Sequence, residues 1–505
     1  MNTRRSSLSK TINASYARLT LILVITAVLV VPAARTGITH SVEPRSELDK
    51  FTAHFNARIP ALMKDYGIPG VSVAIIKDGQ TAWTSAYGYA DPGAGRKMTV
   101  DTCCRVESLS KSVTAWGVMK LAEQGMIDLD APVIQYLNKW SLPESPFPEE
   151  KVTVRQMLTH TSGMPLGDFT KRFPPDGDIP SLEESMSAEA VLIREPGRSF
   201  SYSNTGYNIL EILIEEITGR DFAEYMKNEV LIPLGMRHSD FNWRKGITPA
   251  VPVGHDLKGR PVPVYVYPVK ASGGLFADVR DMAAFMSAGM TGRYHAENRV
   301  LSSQGIEALY SPRVKDIGVY GLVFDSYGMG YYIENLPGGI KSIANGGQGY
   351  GVMTHLQYVP GTGDGIVILT NSQRSWPFFA LILTDWAEWC GFKSVGMGVI
   401  TGAGLFLWLI IGLCIFIALW QVWRPRRGLL SGSRSFAPFS RASRFARILE
   451  IMLSLSIFPV LLWAVNQEYL FLSSVFPVAS VWLGYSLLAL ASVLFFSSMF
   501  PVREE

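Results

Sequence analysis

Apolar residues follow two different patterns along this chain. Between about residues 41 and 392 they recur at short periods broken by polar and turn residues, whereas near both termini they run almost without interruption. In the interrupted region, helical spacing over 48–66 ends at Gly67 and Pro69. Two β-rich runs, 71–77 and 80–89, meet at Asp78-Gly79, a strong hairpin signal. The stretch 112–124 is apolar on most faces of a helix that opens near Ser108, which marks a buried helix, and Gly125 ends it. The segment 152–237 reads mainly helical, including 207–218 before Gly219. Strand patterns return at 330–336, 352–359 and 365–371, and an amphipathic helix closes the region at 377–389. Strands at both ends with helices between them predict an α+β fold in which the terminal segments share one antiparallel sheet, flanked by helices and a helical subdomain.

The uninterrupted runs suggest a membrane topology. Arg4, Arg5, Lys10 and Arg18 precede an apolar run over 19–31 and then Pro32-Ala33-Ala34. Residues 1–34 therefore read as a signal peptide, or as an N-terminal anchor if uncleaved. Three runs near the C-terminus, 396–422, 448–465 and 478–499, carry few or no charges and read as transmembrane helices. Between the first two, 423–447 holds Arg424, Arg426, Arg427, Arg434, Arg441, Arg444 and Arg447, with no acidic residue before Glu450. Such a loop is expected on the cytoplasmic side. The globular region 41–392 is then expected outside the cytoplasmic membrane of a multi-pass protein. Glu450 and Glu468 lie at the ends of the second run, and mid-span ionisable residues are absent, so the runs read as an anchor rather than an ion path.

Composition narrows the function. The chain has 505 residues and a formal net charge of +3, and no long basic run is interleaved with aromatics, so nucleic acid is not an expected partner. Cys103, Cys104, Cys390 and Cys414 form neither a disulfide framework nor a zinc spacing. Neither H-E-x-x-H nor G-x-S-x-G occurs, which argues against a metallohydrolase and an α/β-hydrolase. No cofactor or metal is expected.

Three segments carry candidate chemistry. Ser108-Leu109-Ser110-Lys111 opens the buried helix, where positions three apart share a face. An amine held in a dry site can take the proton of a serine alcohol. The string alone is weak, because Ser7-Leu8-Ser9-Lys10 repeats it in the basic leader. Tyr202-Ser203-Asn204 offers a phenol, whose phenolate a nearby ammonium would favour, and an amide with two donors and an acceptor. Tyr136-Leu137-Asn138 is a second copy of that spacing. Asn345-Gly346-Gly347-Gln348-Gly349-Tyr350-Gly351 opens a strand pattern, or else forms a glycine-rich turn. As a strand it would let a substrate approach backbone N–H groups closely. With the Ser108 N–H, one such amide would complete an oxyanion hole.

Taken in order, 106–115 around Ser108-Leu109-Ser110-Lys111, Leu158-Thr159-His160-Thr161-Ser162-Gly163, and Tyr202-Ser203-Asn204-Thr205-Gly206-Tyr207 resemble the serine β-lactamase and penicillin-binding-protein superfamily. Pro233-Leu234-Gly235-Met236 and Ser272-Gly273-Gly274-Leu275-Phe276 match as well. The nearest branch holds class C β-lactamases, D-alanyl-D-alanine carboxypeptidases and related esterases. The resemblance implies that Ser108 is acylated, Lys111 activates it, Tyr202 shuttles protons and Asn204 binds substrate and lysine. It also places Asn345, Gly346 and Gly347 in the family's third, substrate-binding element, with the Gln348 amide as second oxyanion donor, and makes His160 a buried structural histidine. Two departures stand out: Asn345 replaces a lysine or histidine, and Glu107 replaces a small residue before the serine, its carboxylate either biasing the cleft or pointing into solvent.

The reading is a membrane-anchored serine hydrolase that forms an acyl-enzyme on an extracytoplasmic amide, ester or lactam. A peptidoglycan stem peptide or a β-lactam is among the acyl donors that fit. The alternative is a non-catalytic protein that binds or senses cell-wall fragments through the same cleft.

Overall fold

The computed structural model describes residues 42–502, apart from 169, 245, 247–248, 295–297, 439, 441–443 and 468–470. The expected leader, the first Ser-x-x-K copy, Arg441 and Glu468 lie outside the described residues. The chain divides into two compact units, Val42–Val399 and a C-terminal unit beginning at Ile400.

The larger unit begins with helix α1 (Leu48–Tyr66), stopped by Gly67 in the left-handed conformation. Strands β1 (Gly70–Lys77) and β2 (Gln80–Asp91) form the expected hairpin, and β3 (Arg96–Lys97) adds a short edge. The chain then leaves the sheet for helices α2 (Leu109–Glu123), α3 (Asn204–Thr218) and α4 (Val279–Ala288). It returns as β4 (Ser326–Tyr327), β5 (Tyr332–Leu336), β6 (Ile340–Gly349), β7 (Val352–Val359) and β8 (Asp364–Thr370), before α5 (Trp376–Trp389). The eight strands lie in the order β3-β2-β1-β8-β7-β6-β5-β4, with β1 antiparallel to β8. The first and last strand groups therefore share one antiparallel sheet, as an α+β fold requires.

Helices cover both faces of this sheet. Ala74 and Ile76 of β1 join a core with Trp116 of α2 and Phe285 of α4, whose rings meet at 5.3 Å. Alternate residues point the other way, where Phe379 of α5 lies 5.9 Å from His355 of β7. On that side Phe51 of α1 stacks on Trp389 of α5 at 4.4 Å. Every residue of β7 and β8 is consequently buried. In α2, thirteen positions from Leu109 to Leu121 are buried, as its apolar faces require.

The C-terminal unit contains α6 (Val399–Leu430), α7 (Arg444–Val465) and α8 (Pro477–Ser497). Counting a short turn from Gly396, these are three helices long and apolar enough to cross a membrane. The segment expected to begin a loop at 423 instead continues α6 to Leu430, so Arg424, Arg426 and Arg427 are helical. Charge marks where a helix stops being apolar, not where it unwinds, and arginine is a strong helix former.

Candidate functional site

The backbone before Ser108 is fixed from both sides. Cys104–Arg105 pairs with Phe276–Ala277, and the Val106 N–H donates to the Leu275 carbonyl at 2.9 Å. The chain then turns sharply at Glu107, which adopts the left-handed region at φ 52°, uncommon for a residue with a side chain. Ser108 follows at the N-terminal cap of α2. One turn on, Lys111 donates from Nζ to Ser108 Oγ at 3.0 Å and to the Ser272 carbonyl oxygen at 2.7 Å. The lysine is completely buried. Burial lowers its pKa from 10.5 to about 7, against the opposing charge of Glu107. Near neutral pH a large share of the amine is therefore free to accept a proton.

The segment that offers the Ser272 carbonyl is itself pinned. Ser110 Oγ accepts from the Leu275 N–H at 3.0 Å, and Thr114 Oγ1 donates to the Ala271 carbonyl at 2.9 Å. Glu211 of α3 accepts from the Lys270 and Ala271 N–H groups at 2.6 and 2.8 Å. Burial pushes this carboxyl up to about 7. Sequence reasoning passed over Glu211, although a lone acid among Ile209, Leu210, Ile212 and Leu213 is an available signal.

Tyr202 reaches the serine from the other side. Its hydroxyl is near enough for the Ser108 side chain to oppose the upward shift of its pKa, and its ring centre lies 5.0 Å from Lys111 Nζ. His160, buried in a left-handed turn at φ 57°, supports it. Its Nδ1 accepts from the Ser203 N–H at 3.1 Å, its Nε2 lies 3.2 Å from the Tyr327 hydroxyl, and its ring packs on Tyr202 at 4.3 Å. Burial holds the imidazole neutral, far below its ordinary pKa. The expected phenolate is not favoured. Burial and the Tyr320 phenol push the Tyr202 pKa upward, so the hydroxyl keeps its proton near neutral pH. Ser203 caps α3 through its Oγ, which places Asn204 in the first helical turn.

The glycine-rich segment is the end of strand β6, and the turn comes after it at Tyr350-Gly351. Here Asn345 departs from its expected place against substrate. Only 1% exposed, its amide donates to the Ser108 carbonyl (3.3 Å), Ser112 Oγ (2.8 Å) and the Gly330 carbonyl (3.2 Å). It holds the strand against the first turn of α2 and presents no donor to the cleft. Gly347 is required by close approach, since a Cβ there would lie 2.3 Å from both the Val106 carbonyl and Thr354 Oγ1. Gly346 sits opposite His355 in the strand pairing. Gln348, two residues on, does line the cavity beside Ser108.

That cavity is bordered by Ser108, Asn204, Gln348, Ser272 and Gly273, and also by Glu107. Of the two orientations open from sequence, Glu107 takes the buried one. Tyr265 and Tyr267 donate to its two oxygens at 3.1 and 3.2 Å, and Arg105 lies 3.6 Å away. Gly349 leaves the room it occupies.

Several other sequence features lie outside the site. In the second Tyr-x-Asn copy, the Tyr136 hydroxyl accepts from the Asp128 N–H. All four cysteines are free and buried. Ligand atoms of His238, Asp278 and Asp281 gather within 4.8 Å. Both carboxylates there already accept backbone N–H groups, Asp281 that of His238 and Asp278 that of Asp281.

A sequence profile of the Beta-lactamase family matches residues 55–385, well over half the chain. Protein flp of Staphylococcus aureus (strain N315) is 28% identical over 219 residues, 43% of this chain and 42% of flp. The chain thus spans less than half the length of that relative. Penicillin-binding protein 4 of Amycolatopsis lactamdurans is 27% identical over 340 residues, 65% of this chain and 87% of the relative. Among solved structures, the octameric penicillin-binding protein homologue from Pyrococcus abyssi superimposes with a TM-score of 0.56 at 28% identity. That match covers 68% of this chain and 80% of the other.

Proposed function

Because this chain belongs to the Beta-lactamase family, we propose that it is a serine hydrolase whose Ser108 is acylated by an amide, ester or lactam. One observation carries the reading: a buried amine with a pKa of about 7 lies 3.0 Å from the Ser108 hydroxyl oxygen. In this mechanism neutral Lys111 takes the Ser108 proton as Oγ attacks the acyl carbon. Tyr202, a neutral phenol beside the same serine, passes a proton to the leaving group and regains one from the ammonium. The N–H groups of Ser108 and Gln348 stabilise the oxyanion, and Asn204 orients the donor. Water then attacks the acyl-enzyme and releases the acid.

The same reading places the protein in a membrane. The three apolar helices act as its anchor, and the arginines from Arg424 to Arg447, at the end of α6, in the connection and at the start of α7, favour the cytoplasmic side. The hydrolase unit would then work on the outer side, where peptidoglycan stem peptides and β-lactams are met.

Labelling tests the assignment. Incubating the full chain with a fluorescent fluorophosphonate or penicillin is expected to give one covalent adduct on Ser108, absent in Ser108→Ala of unchanged thermal stability. Equal labelling of that variant would overturn the nucleophile, and a folded wild type that never labels would favour the cell-wall-binding alternative.

A further inference from the structure

The cavity beside Ser108 contains two buried polar atoms that the fold leaves unused. Asn208 is 2% exposed and Ser185 is 5% exposed, and both line the cavity. Asn208 Oδ1 and Ser185 Oγ have no hydrogen-bond partner among the described residues. Leaving such atoms dry and unpaired is unfavourable, so they call for a ligand or water. Asn208 lies four residues after Asn204 on α3, hence on the same helix face. The cavity is small, about 60 Å³, with room for roughly two waters or one small polar group.

Its walls are acidic. Glu107, Asp168 and Glu189 line it, and Lys171 is the cation among the lining residues. The Lys171 amine is already held by Glu189 at 2.9 Å. Arg105 stands beside Glu107 at 3.6 Å without bordering the cavity. Asn345 is neutral and tied beneath the Ser108 turn, so it brings no cation to the cavity.

We propose that this cavity is a subsite for a protonated amine on the acyl donor, recognised by Asn208 Oδ1, Ser185 Oγ and the surrounding carboxylates. An alkylammonium offers three donors and no acceptor, which complements a cavity rich in acceptors. The preferred substrate class is then an amino-bearing acyl compound, and acyl donors with a carboxylate in that place are disfavoured. This specificity rests on the hydrolase reading above.

Matched p-nitrophenyl esters test it on the full chain: ω-amino acyl esters with one to four methylenes, the corresponding alkanoyl esters, and the ω-carboxy acyl esters. The best amino ester is expected to exceed its alkanoyl counterpart in kcat/KM by about tenfold or more, with the carboxy ester lowest. Asn208→Leu should bring the amino-to-alkanoyl ratio towards one, and Asn208→Asp should raise it. Ser108-dependent turnover with no amino preference, or a preference that survives Asn208→Leu, would overturn the subsite and leave the hydrolase standing. Without Ser108-dependent turnover of any ester, the hydrolase reading fails. Calorimetric titration of Ser108→Ala with n-butylammonium and butyrate then reads the subsite by itself. Binding of the ammonium alone upholds it, and equal or absent binding overturns it.

Discussion

Two buried cations, one in each unit, make the same kind of contact and do different work. Lys111 gives one hydrogen bond to the Ser272 carbonyl and one to Ser108 Oγ. Arg447, also buried, donates to four backbone carbonyls, those of Ser498, Ser440, Ala437 and Pro438. A guanidinium offers donors only and suits a site that needs permanent bonds to carbonyls, whereas an ammonium on a flexible stem readily changes charge when desolvated. One cation ties the segment before α7 to the end of α8. The other, short of acceptors, is held where it can give up its proton and take one back. Burial is therefore not a sign of catalysis; the identity and number of partners decide.

Exchanging the cations should break this contrast. Lys111→Ala and Tyr202→Phe should each lower turnover by roughly a hundredfold or more, the scale of a lost acid–base group. Lys111→Arg should fail to restore the rate, because the charge is kept but the proton is not released. Steady-state kinetics with thermal melts of each variant separate chemistry from folding. In the other unit, Arg447→Leu should lower stability by about 2–3 kcal/mol, since charged hydrogen bonds are lost, while Ser108 labels at the wild-type rate. A large loss of labelling there would erase the distinction.

A smaller effect sharpens it. The Glu107 charge favours the protonated form of Lys111. Neutralising it with Glu107→Gln should lower the lysine pKa, so the acid limb of the rate profile moves to lower pH. A limb that stays in place would mean that the carboxyl is already neutral or does not act on the amine.

Much of this was legible in the chain because local pattern and burial agreed. Helix α1, strand β7 and the greasy α2 follow from periodicity alone, and ordered motifs brought Ser108, Lys111 and Tyr202 together. What escaped reading depends on contacts between distant segments. Whether Asn345 faces substrate or the Ser108 turn is decided by Ser112 and Gly330, far away in sequence. The orientation of Glu107 depends on Tyr265, Tyr267 and the space left by Gly349. The charge state expected of Tyr202 was inverted for a related reason: the same burial that discharges the lysine also protects the phenol.

The central claim is that a lysine half-deprotonated near neutrality activates Ser108, and the pH dependence of Ser108 acylation tests it most directly. The rate constant for fluorophosphonate labelling should climb with pH as the amine loses its proton, reaching half its plateau near pH 7. Lys111→Ala should remove that limb. A midpoint near the ordinary lysine value of 10.5, or an identical profile in Lys111→Ala, would contradict the account.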